Sequence, residues 1–273
     1  MLRIYFRSTR SLALLVIAGA LGCAAQTQIN STVIDKKTAQ PVTGLTAADF
    51  RATEDKTERR VESVEYTTEP IDAMLLLDAS LVGEAVRPIA DTFINQLQPK
   101  EEMALVEFAS AADLIQDFTS SKEMLRKAVQ SIKYGNEPKV LDALYASIDG
   151  GFTNSTYRRV IFLLTAGLEG SSRVRDPKSV IRLAQKNGVT ICPVYLMGAE
   201  RSMMEEMAQK TGGASFRLNA KDQELSRKQV ADIVKAVRSH YVVTLSGDKA
   251  PGEKFKLSVA RPEKLLVSYQ PLP

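Results

Sequence analysis

The residues placed to do chemistry are Asp78 and Ser80. They close an unbroken apolar run, Ala73-Met74-Leu75-Leu76-Leu77. An acid and a hydroxyl thus stand where a strand buried on both faces would end. In an open parallel sheet, that carboxyl end is where ligands bind. An aspartate and a serine suit a divalent cation only if other loops bring further oxygens. Other chemistry is thin. His240 is the only histidine, which excludes a multi-histidine zinc centre and leaves His240 a structural role. Cys23 and Cys192 are the only cysteines. Cys192 lies in the apolar stretch 189–196 and reads as a small buried thiol, since a nucleophile would need a nearby base. No Gly-x-Ser-x-Gly, Gly-x-x-x-x-Gly-Lys-Ser/Thr or Gly-x-Gly-x-x-Gly pattern occurs, so serine hydrolysis and nucleotide binding lack support. Residues 167–172 are glycine-rich but fit neither spacing, and read as a loop. No catalysis and no cofactor are expected.

The elements that would hold Asp78 follow from pattern. Between Ile71 and Ser239, strands and helices alternate. Strands are expected at 73–78, 103–108, 113–118, 160–164, 189–196 and 214–218. Helices are expected at 82–97, 121–132, 140–148, 177–187, 202–211 and 224–239. Asp176-Pro177 is a helix start, an N-cap before a first-turn proline. Asn187-Gly188 is a helix stop, and Gly212-Gly213 reads the same way. Met203, Met204 and Met207 read as core filling on a helix. Such alternation predicts an α/β fold: a doubly wound, mainly parallel sheet covered on both faces. The stretch 113–118 follows 103–108 too closely for a crossover and reads as one antiparallel edge strand. Residues 26–70 and 240–273 are β-rich, and each is too small to bury a core alone. They are expected to pair into one small β layer beside the central domain at 71–239.

Of 273 residues, 44% are hydrophobic and 25% charged, an ordinary globular balance. The net charge of +4 is misleading. The first 25 residues hold Arg3, Arg7 and Arg10 and no acid; removing those three of 36 bases leaves 33 against 32 acids. No basic run studded with aromatics remains, so nucleic acid is not an expected partner. Residues 1–25 read as an export signal: three arginines, an apolar run from Leu12 to Leu21, then Gly22, Cys23, Ala24 and Ala25. The run is short for a membrane span. Cleavage after Ala25 would give a periplasmic or secreted chain with no membrane span. The alternative is a lipid anchor at Cys23, and so an outer-membrane lipoprotein, although Ala20 stands where a lipobox has an aliphatic residue.

At Leu75-Leu76-Leu77-Asp78-Ala79-Ser80 the chain resembles a von Willebrand factor type A domain. Met103–Phe108, Leu141-Asp142-Ala143-Leu144-Tyr145 and Val160–Gly167 add to the likeness. The flank from Val33 to Asp55 is similar to the segment before the A domain in exported bacterial proteins of the VWFA-related Acidobacterial domain family. The resemblance implies a metal-ion-dependent adhesion site (MIDAS) built from three loops. Asp78 and Ser80 match the first, Asp-x-Ser-x-Ser, but Val82 takes its last place. Pro138 stands where the second loop supplies threonine, and Ala166 where the third supplies an acid within Thr-Asp-Gly. Weak or no magnesium binding is therefore expected. Glu107 or Glu169 could lend a carboxylate, and Lys139 could replace the metal by pairing with Asp78. The implied function is an exported protein-interaction or scaffold module, with contacts at Ser80, Leu81, Lys139, Thr165, Gly167 and Glu169. The alternative is a cation-dependent adhesion module whose incomplete site a partner completes.

Overall fold

A computed structural model describes residues 26–170, 172, 176–218 and 222–272. The export signal and Cys23 lie outside the described residues. The described residues open with β1 (Gln26–Asp35), a short 3-10 turn (Ala47–Asp49), β2 (Phe50–Glu54), β3 (Thr57–Arg59) and β4 (Val61–Thr68). The alternating region follows: β5 (Ile71–Asp78), a 3-10 turn (Gly83–Val86), α1 (Arg87–Asn95), β6 (Met103–Phe108), β7 (Ala112–Thr119), α2 (Lys122–Ser131), α3 (Val140–Gly150), β8 (Arg158–Thr165), α4 (Pro177–Lys186), β9 (Val189–Tyr195), α5 (Arg201–Lys210), β10 (Phe216–Arg217) and α6 (Gln223–Arg238). The chain closes with β11 (Ser239–Ser246), β12 (Lys256–Val259) and β13 (Leu265–Pro271).

The central sheet has the order β10-β9-β8-β5-β6-β7. Its pairings are parallel except β6 with β7, the expected antiparallel edge. Every residue of β5 is buried. Ala73, Leu75 and Leu77 face the core formed with α1, α2 and α6, while Met74 and Leu76 face the core formed with α3, α4 and α5. A strand sealed on both sides needs apolar residues at both parities, hence the continuous run. The helix ends obey local rules. Asp176 caps α4 by accepting the Ser179 N–H at 2.9 Å, and Gly188 leaves it at φ +62°. Ser121 and Asp222 cap α2 and α6 in the same way.

Three expectations need correction. The helix foreseen from Val82 starts as a 3-10 turn, and α1 proper begins at Arg87. Within that turn Gly83 passes so close to Asp78 that a Cβ there would stand 2.1 Å from the Asp78 carbonyl oxygen. The strand expected at 214–218 shrinks to Phe216–Arg217. The terminal strands do pair, but into two sheets, β13-β1-β11-β4 and β12-β2-β3. Between them lies a separate core that includes Ile29, Phe50, Tyr241, Phe255 and Tyr269. Tyr241 donates to the Val42 carbonyl at 2.8 Å and accepts the Leu45 N–H. Two terminal segments together bury what neither could alone. Gln270 and Thr32 fasten this annex to the central domain. Gln270 donates to the Val189 carbonyl at 3.0 Å, and Thr32 to the Gly212 carbonyl at 2.8 Å.

Candidate functional site

The order of the central sheet reverses between β5 and β8: β6 lies on one side of β5, β8 and β9 on the other. The crevice beyond their carboxyl ends is the expected ligand position in such a fold. There Asp78 and Thr165 meet, both buried. Asp78 Oδ2 accepts the Thr165 hydroxyl at 2.9 Å and the Ala166 N–H at 3.0 Å. Asp78 Oδ1 accepts the Ser80 N–H at 2.9 Å. The Thr165 hydroxyl oxygen also accepts the Gly167 N–H at 3.0 Å. One carboxylate therefore ties the loop after β5 to the loop after β8.

The neighbouring loops are held as closely. The Gly135 N–H donates to Ala79 O, and the Lys139 N–H to Ala109 O. The Gly170 N–H donates to Pro138 O. Gly167, at φ +98°, passes Met197 so closely that a Cβ would come 2.0 Å from its carbonyl oxygen. The Met197 N–H in turn donates to Ala166 O at 2.8 Å. Glu169 reaches back to α3: its Oε2 accepts the Leu141 N–H at 3.3 Å, and its Oε1 accepts the Ser172 hydroxyl. Burial pushes its carboxyl up, against the pull of those hydrogen bonds.

A metal fits these donors poorly. A carboxylate offers about four lone-pair positions, and Asp78 has three protein donors on it. Ser80 Oγ is buried and has no hydrogen-bond partner among the described residues, unlike either oxygen of the Asp78 carboxylate. Val82, Pro138 and Ala166 supply no side-chain oxygen. Magnesium needs a near-octahedral oxygen set and gives up water reluctantly. Among the described residues no cluster of three or more His, Cys, Asp or Glu could hold an ion. Neither of the carboxylates that spacing left unsupported as rescuers is shown at Asp78. Glu169 serves α3, and Glu107 stands opposite Asp113 across β6 and β7. Burial and then the Asp113 charge push the Glu107 carboxyl up. Among the described residues no ion pair joins Lys139 to Asp78, so the tethered-cation reading has no geometric support.

Of the expected contact residues, Ser80, Thr165 and Gly167 are buried and act as supports. Leu81 is 75% exposed, Val82 41% and Met197 42%. Sequence reasoning missed Met197, whose place beside Ala166 and Gly167 only the fold reveals. Tyr134 opens the loop 134–139 that sequence reasoning named as a contact surface, and it lies within the electrostatic reach of Arg87, Glu84, Glu107 and Asp78. Part of the loop 165–175 lies outside the described residues. Cys192 is fully buried and its thiol is pushed up to about 11 by burial, so it is unreactive.

The sequence pattern of the von Willebrand factor type A domain matches residues 74–234, more than half of the 273. The chain belongs to this family. Among solved structures, the A-type domain is similar to proximal thread matrix protein 1 from the mussel byssus. The TM-score is 0.55 at 18% identity, over 67% of this chain and 51% of that one. A form of the same mussel protein with a zinc-occupied MIDAS motif gives 0.53 at 15% identity, over 71% and 50%. BatB, a conserved hypothetical protein from Bacteroides thetaiotaomicron, gives 0.50 at 12% identity, over 62% of this chain and 98% of that one. The chain spans about half the length of the mussel chains it matches. At these identities the likeness establishes the fold. A comparison with curated protein sequences gives no match.

Proposed function

We propose that this is an exported protein-interaction module whose A-type domain engages a protein partner without a resident metal and without catalysis. The observation that supports it is the state of Asp78: three protein donors occupy its carboxylate, and the motif positions at Val82, Pro138 and Ala166 offer no ligand. The contact surface is apolar where a metal site would be ionic. Leu81, Val82 and Met197 present themselves to solvent around the tied loops, and an exposed apolar group beside a crevice is suited to a partner's apolar side chain. Export rests on residues 1–25, and no described helix is long and apolar enough to cross a membrane. The site in this reading is a degenerate MIDAS, and the flank from Val33 to Asp55 fits the Acidobacterial family.

A second reading has one observation in its favour. The unpartnered, buried Ser80 Oγ could serve a cation if a partner brought the missing carboxylates. Titration calorimetry of the mature chain with Mg2+, Mn2+ and Zn2+ decides between them; zinc is included because the mussel protein is described with zinc at this motif. No saturable binding is expected, and capture of a partner from the envelope fraction should be the same with and without EDTA. Leu81→Asp should weaken that capture at least tenfold. Tight binding by the free chain that Asp78→Ala abolishes, or capture that EDTA abolishes, would favour the second reading. Fractionation of wild type against Cys23→Ala tests export and distinguishes a lipid anchor from simple cleavage.

A further inference from the structure

Each of the three sheets ends in a strand that borders one groove. A cavity of about 870 Å³ runs along the outer edge of β10, past β12 and β13, and is closed on its other sides by α5, α6 and the turn at Asp35–Thr38. β10 terminates the central sheet, β12 the three-stranded sheet and β13 the four-stranded sheet. β12 and β13 are consecutive in the chain and lie against each other, yet they do not pair. They splay into different sheets, and their facing backbones are left open.

The hydrogen-bond register shows which groups are open. In an antiparallel ladder, successive residues point their N–H and C=O alternately toward and away from the partner strand. The Lys36 N–H donates to Lys264 O at 2.9 Å and the Leu272 N–H to Gln28 O at 3.2 Å. With the β1–β13 register, this turns residues 264, 266, 268, 270 and 272 toward β1. Leu265 and Val267 therefore point their N–H and C=O outward, into the groove they line. The Ala260 N–H donates to Asp49 O at 2.8 Å. With the β12–β2 register, the same argument turns Leu257 and Val259 outward. Among the described residues nothing bonds to these outward groups of β13. An uncovered edge of this kind is a template for another strand.

The charges around the groove select the strand. Arg201 is paired with Glu205, and Asp35 is engaged by Lys37 N–H and Thr38. Among the described residues no ion pair holds the lining cations Lys36, Lys37, Arg217 and Lys264, nor the lining acids Asp35, Asp232 and Glu263, which leaves the cations in excess by one. Three of those lysines cluster where β13 begins, because Lys36 and Lys264 are neighbours across the ladder. We infer that this groove receives an extended, acidic polypeptide segment as an added strand on the β13 edge. Backbone bonds to Leu265 and Val267 give affinity, and the lysines and Arg217 select carboxylates. This surface shares no residue with the Asp78 crevice, and the inference does not rest on the reading given to that site.

A phage-displayed library of random decapeptides, panned on the mature chain, supplies the probe. Val267→Pro deletes an outward donor while leaving the ladder to β1 intact, as proline permits on an edge strand. Peptides enriched on wild type should be rich in Asp and Glu. They should bind Val267→Pro at least tenfold more weakly. A triple Lys36→Glu, Lys37→Glu, Lys264→Glu variant, altered only at exposed positions, should lose at least as much in low salt and less in 0.5 M salt. Bound peptide should slow amide exchange at Leu265 and Val267 at least tenfold, with Leu81→Asp without effect. Failure to enrich any peptide, enrichment of neutral or basic ones, or protection elsewhere than Leu265 and Val267 would overturn the inference.

Discussion

Glu169 caps the helix that follows Lys139. Lys139 occupies the N-cap of α3 with no side-chain cap bond of its own. The Glu169 carboxylate, from another loop, accepts the Leu141 N–H instead. A carboxylate is well placed there, since the first-turn N–H groups and the helix dipole both favour negative charge. Glu169→Ala should therefore destabilise the chain by about 1 kcal/mol, the usual worth of a cap. Lys139→Ser in the Glu169→Ala background should restore part of the loss by capping locally. Urea titrations of the four proteins check this; a double variant no more stable than Glu169→Ala would refute the cap.

Asp78 makes a stronger prediction. Removing its carboxylate leaves two backbone N–H groups and the Thr165 hydroxyl without their acceptor in a buried site. Each such loss costs about 1–3 kcal/mol, so Asp78→Ala should cost about 3 kcal/mol or more. Because no ion pair links Lys139 to Asp78, Lys139→Ala should add to it independently, within about 0.5 kcal/mol. A large coupling energy in the double-mutant cycle would mean that the lysine does reach the carboxylate in solution.

Much of this architecture could be read along the chain, and the reason is local. β5 announces itself because burial on both faces demands an unbroken apolar run, and α4 because Asp176, Pro177 and Gly188 act on their own neighbours. The annex was harder to read. Residues 60–66 read as one strand after a polar turn at 55–57, but Thr57–Arg59 pairs with β2 and Val61–Thr68 with β11, and only Arg60 separates them, with no glycine or proline to mark the change. At the site, Asp78 and Ser80 were visible from their position after β5. The roles of Glu169 and Met197 were not, because each acts on a loop far away in sequence, and one-dimensional spacing carries no information about that partner.

The junction between α6 and β11 depends on a buried ion pair. Arg238 Nε donates to Glu101 Oε1 at 2.7 Å, and its Nη2 donates to Glu101 Oε2 and Gln96 O. Glu101 also accepts the N–H groups of Ile71 and Gln98. Removing one partner of such a pair leaves an uncompensated buried charge, which costs about 3–5 kcal/mol. Arg238→Met should show a loss of that size in denaturant unfolding. Adding Glu101→Leu should recover only part of it, because Leu cannot accept the two backbone N–H groups. Full recovery would assign the whole effect to the charge.

His240 should make the chain acid-sensitive from pH 6.5 downward, a window that begins above the ordinary carboxylate range and runs through it. It is 1% exposed. Burial first, and then the Arg158 guanidinium 3.5 Å from Nδ1, push its pKa down from 6.5 to about 3. Glu69 stands 3.8 Å from Nε2 but is half exposed, so water screens its pull. The folded pKa lies below the unfolded one, so between these values the unfolded chain binds the extra proton. The stability this neutral histidine carries is therefore whole above pH 6.5 and drains away as pH falls toward 3. The shift corresponds to a loss on the order of 4 kcal/mol over that window. Asp35 and Asp49, whose carboxyls are held low by hydrogen bonds, act in the same direction but only below their ordinary value of 3.8. Glu107 and Glu169, pushed up by burial, act in the opposite direction. The difference between wild type and His240→Gln isolates the histidine, because the carboxylates are common to both. Between pH 6.5 and 4 that difference should shrink steadily as wild type loses stability and the variant does not; parallel curves would show that His240 titrates normally.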